Sequence, residues 1–162
     1  EGRMLAEAGL ALVDLAVPLA ACTLMRGLDD AQRARVEAHL ERRELARGEA
    51  LFLEGEAGDR LYLLTRGSIT VLSGVGPPDE RQRYISFSAG GMLGETAMLD
   101  GAGRSAGAWA DDDAEVHALS LRSLDALQAQ DPDLAARLYR NIALHLSQRL
   151  RSATAARHAV AR

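Results

Sequence analysis

The sequence predicts a mainly β fold with flanking helices: a sandwich or barrel of short strands between N-terminal helices and two C-terminal helices. Three observations carry this. From Gly48 to Leu119 short apolar runs alternate with turn residues, as in antiparallel all-β domains. On either side of that region the apolar residues recur at helical spacing. Apolar residues at 48% and charged residues at 26% over 162 positions describe one soluble core rather than a disordered chain.

Taken in chain order, residues 8–25 (AGLALVDLAVPLAACTLM) form the most apolar stretch. Asp14 and Pro18 interrupt it and no positively charged leader precedes it, so a buried or partner-facing helix kinked at Pro18 is expected rather than a membrane span. Residues 1–23 then read as a helical linker. The chain opens on Glu1, which fits a segment of something longer. Residues 29–46 place Val36, Leu40 and Ala34 on one helical face behind a pair of acids. The pattern changes at Gly48. ALFLE, RLYLL, SITVL, RYISF, SAGAW and EVHAL follow as strands, with glycines, Pro77-Pro78 and Asp111-Asp112-Asp113 between them. GVGPPDE reads as an exposed hairpin tip.

After Leu119 the period is helical again. Ser120 is an N-cap for a helix carrying Leu121, Leu124 and Leu127. Asp131-Pro132 stops that helix and starts another, with Pro132 at its tolerated first position. Leu134, Leu138, Ile142, Leu146 and Leu150 then repeat every four residues and make one apolar ridge.

Charge and composition narrow the function classes. A net charge of −4 gives no global reason to expect nucleic acid. All nineteen basic residues are arginine, which removes Schiff-base chemistry and the phosphate-binding lysine of a P-loop. The single cysteine, Cys22, cannot form an internal disulfide and suits a reducing cytoplasm. His39, His117, His145 and His158 lack the paired spacing of a metal site. No nucleophile stands beside a base, so an enzyme is not expected. Residues 134–162 carry six arginines and no acid. An acidic partner domain is a simpler match for them than nucleic acid or an anionic membrane.

Chemistry concentrates in GMLGETAMLDGAGRSAGAW, residues 91–109. Glycines at 90, 91 and 94 let backbone approach a ligand. Glu95–Leu99 suits a single helical turn whose first N–H groups lack acceptors. Arg104 brings a fork of donors that can grip two oxygens of one phosphate. Glu95 is acceptor-only when ionised and needs a donor such as a sugar hydroxyl. A ribose phosphate satisfies both. The alternative is that Glu95 and Arg104 simply pair with each other across a turn, a link worth about 0–1 kcal/mol when exposed.

G-E-T-A-M-L followed after a short loop by R-S-A resembles the phosphate-binding cassette of cyclic nucleotide-binding domains. L-M-R-G-L at 24–28, R-G-E-A-L-F-L-E-G-E-A-G-D-R-L-Y-L-L-T-R-G-S-I-T-V at 47–71 and the paired helices at 120–151 are similar to the same family. The resemblance implies a β-roll or jelly-roll barrel (a double-stranded β-helix). The domain would span 24–152, with its barrel at about 48–119, its C-terminal helices at about 120–152 and a tail at 153–162. It implies that Arg104 binds the cyclic phosphate and that Glu95 accepts from the ribose 2′-hydroxyl. The backbones of Gly94, Ala97 and Ser105 and the Ser105 hydroxyl would complete the cradle, within a cassette that includes Thr96 and Ala106. Val71, Ile85 and Phe87 are candidates for the wall around the base, each also readable as plain core. Arg149 or Arg151 would stack on the purine, or else stay solvated near a helix end.

The sequence departs from the family pattern at three positions. Leu93 stands where phenylalanine is usual, Met98 replaces leucine, and Gly103 takes a place where many members have proline. None removes a group that makes a polar contact. Serine after the arginine favours cyclic AMP without excluding cyclic GMP.

The function implied is a cyclic nucleotide-sensing regulatory domain. Its final helix would act as a lid over the base, and ligand would favour the closed state. It would control a fused transporter, channel or enzyme; sulfate-permease-type transporters and glutaminases carry similar modules. A cytoplasmic location, or the cytoplasmic part of a membrane protein, follows, with a homodimer through the helices as a further expectation. The competing readings are a catabolite-activator-type transcription regulator, a barrel that has lost nucleotide binding and serves protein interaction, and a metal-dependent cupin-like enzyme.

Overall fold

The computed structural model describes residues 16–73 and 82–160. Their strands form two four-stranded antiparallel sheets. One sheet runs β1 (Glu41–Leu45), β8 (Ala114–Ser120), β3 (Arg60–Arg66), β6 (Met92–Leu93). The other runs β2 (Ala50–Phe52), β7 (Gly107–Ala110), β4 (Ser68–Ser73), β5 (Gln82–Ser88). Helices α1 (Asp30–Glu37), α2 (Glu95–Asp100), α3 (Leu121–Gln130) and α4 (Pro132–Val160) flank them. This is the expected β-roll with flanking helices. Among the described residues no helix is long and apolar enough to cross a membrane.

Two cores explain why β3 reads as an unbroken apolar run. Tyr62 and Leu64 face the barrel interior with Phe52, Ile69, Phe87, Leu93 and Val116. Leu61 and Leu63 face outward, under Leu124, Leu127, Leu134, Leu138 and Ile142 of the C-terminal helices. A strand covered on both faces has no polar side to alternate with. The six runs read as strands are all strands, whereas GVGPPDE lies outside the described residues.

The N-terminal half corrects two expectations. Residues 16–25 form no kinked helix; Leu19–Ala21 and Thr23–Met25 are single 3-10 turns after an extended Pro18. Besides the bonds within these turns, their backbone ties to the barrel, Val17 N–H to the Thr65 carbonyl at 2.7 Å and Thr23 N–H to that of Gly90 at 3.0 Å. Residues 1–15 lie outside the described region. The helix expected over 29–46 stops at Glu37, held at its start by a capping box between Asp29 and Gln32. Within it Val36 is buried but Ala34 is exposed.

The chain then becomes β1, seven residues before the expected barrel start. Four of its five residues, Glu41 to Glu44, are exposed, so no alternation announces it. Pairing with β8 makes it a strand, and Arg42 reaches across to the Glu115 carboxylate at 2.7 Å.

At the other end the helix junction is as expected. The Ser120 hydroxyl accepts the Ser123 N–H at 3.1 Å, and Asp131 separates α3 from α4. The apolar ridge of α4, continuous in sequence, is covered only in part. Leu134, Leu138 and Ile142 are buried, Leu146 is half covered and Leu150 is 71% exposed. The tail expected from 153 continues the helix as far as Val160.

Candidate functional site

The stretch from Gly91 to Trp109 crosses from one sheet to the other. It leaves β6, makes the short helix α2 and re-enters the barrel as β7. Gly94 sits at φ +82°, and a Cβ there would lie 2.8 Å from the Arg104 guanidinium. Only glycine meets both the turn and the close approach. Gly103 has φ +85°, a value closed to the proline usual there in the resembling family.

Arg104 is almost fully buried, at 5% exposure. Its backbone is pinned on both sides: its N–H donates to the Glu56 carbonyl and its carbonyl accepts from Gly55 N–H, both at 2.8 Å. The guanidinium lies 4.2 Å over the Phe52 ring and 5.8 Å from that of Tyr62. It donates through Nη1 to the Gly94 carbonyl at 2.7 Å and through Nη2 to that of Arg60 at 2.8 Å. Its Nε has no partner. Burial pulls its pKa down, but a guanidinium remains charged. The result is a desolvated cation, fixed in orientation, at the rim of the barrel.

Glu95, the first residue of α2, is fully buried. It pairs with Arg149 of α4, not with Arg104, so the simple pair across the turn is not formed. Arg149 Nη1 donates to Oε1 at 2.6 Å, and His145 Nε2 approaches the same oxygen to 3.4 Å without making an aligned hydrogen bond. Oε2 has no partner. Burial alone pushes this carboxyl pKa up; His145, a backbone donor and Arg149 outweigh it, and the net shift is downward.

A solvent-open cleft of about 410 Å³ gathers most of the predicted residues. Gly94, Thr96, Ala97, Arg104, Ser105 and Ala106 of the cassette line it together with Val71 and Phe87. Ile85 does not line it; it packs against the barrel core and pairs with Val71 across β4 and β5. Arg149 lines the cleft, 5.6 Å from the Phe87 ring, whereas Arg151 is exposed and does not. Three participants were not singled out from sequence. Phe52 and Tyr62 support Arg104, and His145 sits beside Glu95. Nothing in the continuous apolar runs ALFLE and RLYLL marks which face the two aromatics take, whereas the four-residue step from His145 to Arg149 puts both on one helix face.

The arrangement places a buried cation, Arg104, with small-residue backbone along the cleft, and a buried carboxylate, Glu95, held by Arg149. Among the described residues no His, Cys, Asp and Glu side chains converge as a metal-binding group. Comparison with known proteins agrees with the geometry: the model of the cyclic nucleotide-binding domain matches residues 42–131. The chain belongs to the cyclic nucleotide-binding domain family.

Similar proteins include transcriptional regulators, a cAMP-dependent protein kinase regulatory subunit and a putative potassium channel protein. A CRP-like cAMP-activated global transcriptional regulator of Mycobacterium tuberculosis is 26% identical over 129 residues, 79% of this chain and 57% of the relative. The chain thus spans little more than half of that protein's length. The N-terminal domain of a Streptomyces coelicolor transcriptional regulator is 31% identical with a TM-score of 0.67, covering 78% of this chain and 89% of that one. The Thermus thermophilus catabolite activator protein is 27% identical with a TM-score of 0.72, covering 86% and 63%. The family match stops at Asp131, so α4 and its Arg149 lie beyond it.

Proposed function

We propose that this chain senses a cyclic nucleotide, with cyclic AMP as its ligand, and passes the signal on through α4. One observation carries the reading: a buried guanidinium and a buried carboxylate on the same cassette, separated by a cleft-lining backbone that only glycine allows. Arg104 binds the cyclic phosphate through N–H groups not committed to carbonyls, and the Ser105 hydroxyl and the backbones of Gly94 and Ala97 add donors. Glu95 accepts from the ribose 2′-hydroxyl. Val71 and Phe87 contact the base. Binding favours one position of α4 over another, by no more than the ligand's differential affinity for the two.

The domain has a regulatory role without catalysis, in a cytoplasmic protein or the cytoplasmic part of a membrane protein, and controls a covalently linked transporter, channel or enzyme. A second reading is favoured by the relatives: the sensory half of a catabolite-activator-type transcription regulator. The parent sequence separates the two, since a helix-turn-helix downstream of α4 supports the second.

Calorimetric titration with cyclic AMP and cyclic GMP tests the core reading. Micromolar binding of cyclic AMP is expected. Arg104→Ala should lower affinity about 10- to 100-fold, as for a lost hydrogen bond to a charged group. Glu95→Ala should weaken cyclic AMP more than its 2′-deoxy analogue. No heat from the native chain with either nucleotide overturns the proposal.

A further inference from the structure

The two halves of the cleft are not equally open. Thr96 and Gly94, on either side of Glu95, line it, while Glu95 itself is 0% exposed and its Oε2 is sealed as completely as Oε1. Arg149 makes the seal: it lines the cleft, lies near the Phe87 ring and holds Oε1 at 2.6 Å.

The tether is also concentrated in few contacts. The last fully buried apolar residue of α4 is Ile142; beyond it Leu144 is 44% and Leu150 71% exposed, and Leu146 alone among the leucines packs partly on the body. The turn carrying His145 and Arg149 is therefore held to the barrel mainly through the Glu95 carboxylate. A buried carboxylate stripped of its partner is strongly disfavoured. This turn of α4 can leave only if another donor takes its place at Glu95.

We propose that Arg149 is an internal competitor for the sugar subsite: it occupies Glu95 until a ligand hydroxyl replaces it, so sugar recognition and release of α4 are one event. This rests on the nucleotide reading above. The phosphate half, around Arg104, involves no residue of α4. A nucleotide lacking the 2′-hydroxyl therefore engages the phosphate half but leaves Arg149 on Glu95. One bearing it trades a charged donor for a neutral one, and the exchange is driven by contacts elsewhere on the ligand. Any lid position of α4 over the base is reached only after this contact breaks.

The test is calorimetry of the whole chain with cyclic AMP and 2′-deoxy cyclic AMP, using the native protein, Arg149→Ala and Arg149→Lys. If the competing pair holds nine molecules in ten, its removal raises cyclic AMP affinity about tenfold. Arg149→Lys should fall between, and the 2′-deoxy analogue should change by less than about twofold, because its binding never required Glu95. Amide exchange without nucleotide is a second readout: residues 143–152 should exchange faster in Arg149→Ala and in Glu95→Gln. Cyclic AMP bound by the native protein but bound equally or more weakly by Arg149→Ala overturns the competition and leaves the nucleotide reading standing. Binding by neither protein overturns the nucleotide reading, and the competition with it.

Discussion

The Asn141 side chain, buried on α4, donates to the Leu24 carbonyl at 2.8 Å, joining positions 117 residues apart. The same nitrogen reaches the Arg26 carbonyl at 2.9 Å. One amide thus clamps the Thr23–Met25 turn to the C-terminal helix. Asn141→Ala leaves two acceptors without a donor in an apolar setting, and stability should fall by about 2–4 kcal/mol. Urea unfolding measures it. A change below about 0.5 kcal/mol means that the clamp is dispensable, because unaffected surface positions stay within that range.

Gly58 lies outside the cassette yet bears on it. A Cβ there would sit 2.5 Å from that of Ala97 and 3.0 Å from the Arg104 guanidinium, so Gly58→Ala must push α2 or Arg104 from its seat. The predicted result is a loss of cyclic AMP affinity of about tenfold or more, with a stability cost of about 1–3 kcal/mol from overpacking. Native affinity in that variant shows that the cassette tolerates the shift.

Turn glycines between short apolar runs located six strands, and the glycine-rich spacing of Glu95 and Arg104 marked a candidate site, because both signals are local. β1 escaped because four of its five residues face solvent and its pairing is with β8, about seventy positions downstream. β6 is two residues long, too short for any period. The Arg149–Glu95 contact spans 54 positions and depends on the path of α4, so the sequence could name Arg149 as a site residue but not its partner. The aromatic bed of Arg104, Phe52 and Tyr62, lay within runs legible only as strands, because nothing local ties them to a charge fifty-two and forty-two positions downstream.

Acid should destabilise the domain through Glu115. Arg42, together with His117 and Thr65, holds this carboxyl down at about 2. An unfolded glutamate titrates near 4.3, so the stabilisation is complete above that value and is lost as pH falls toward about 2. Exposure of Arg42 to solvent keeps the contribution small. Glu95, also shifted downward, acts in the same direction. Glu115→Gln should therefore lower stability at pH 7 and flatten its decline between about pH 4.5 and 2. Parallel curves for the two proteins sink this assignment.

Cys22 reports on the opposite end of the clamp. It is 1% exposed, its thiol donates weakly to the Pro18 carbonyl at 3.8 Å, and burial pushes its pKa up to about 11. A thiolate is the reactive form, so both access and ionisation protect it at pH 8. Labelling by a thiol reagent should wait for opening of the 19–25 segment, at a rate far below that in denaturant. Asn141→Ala, which frees the neighbouring Thr23–Met25 turn from α4, should accelerate labelling by at least tenfold while leaving the denatured rate unchanged. Rapid labelling of the native protein, or equal rates in the two proteins, would separate Cys22 from the clamp and show that the turn opens independently of α4.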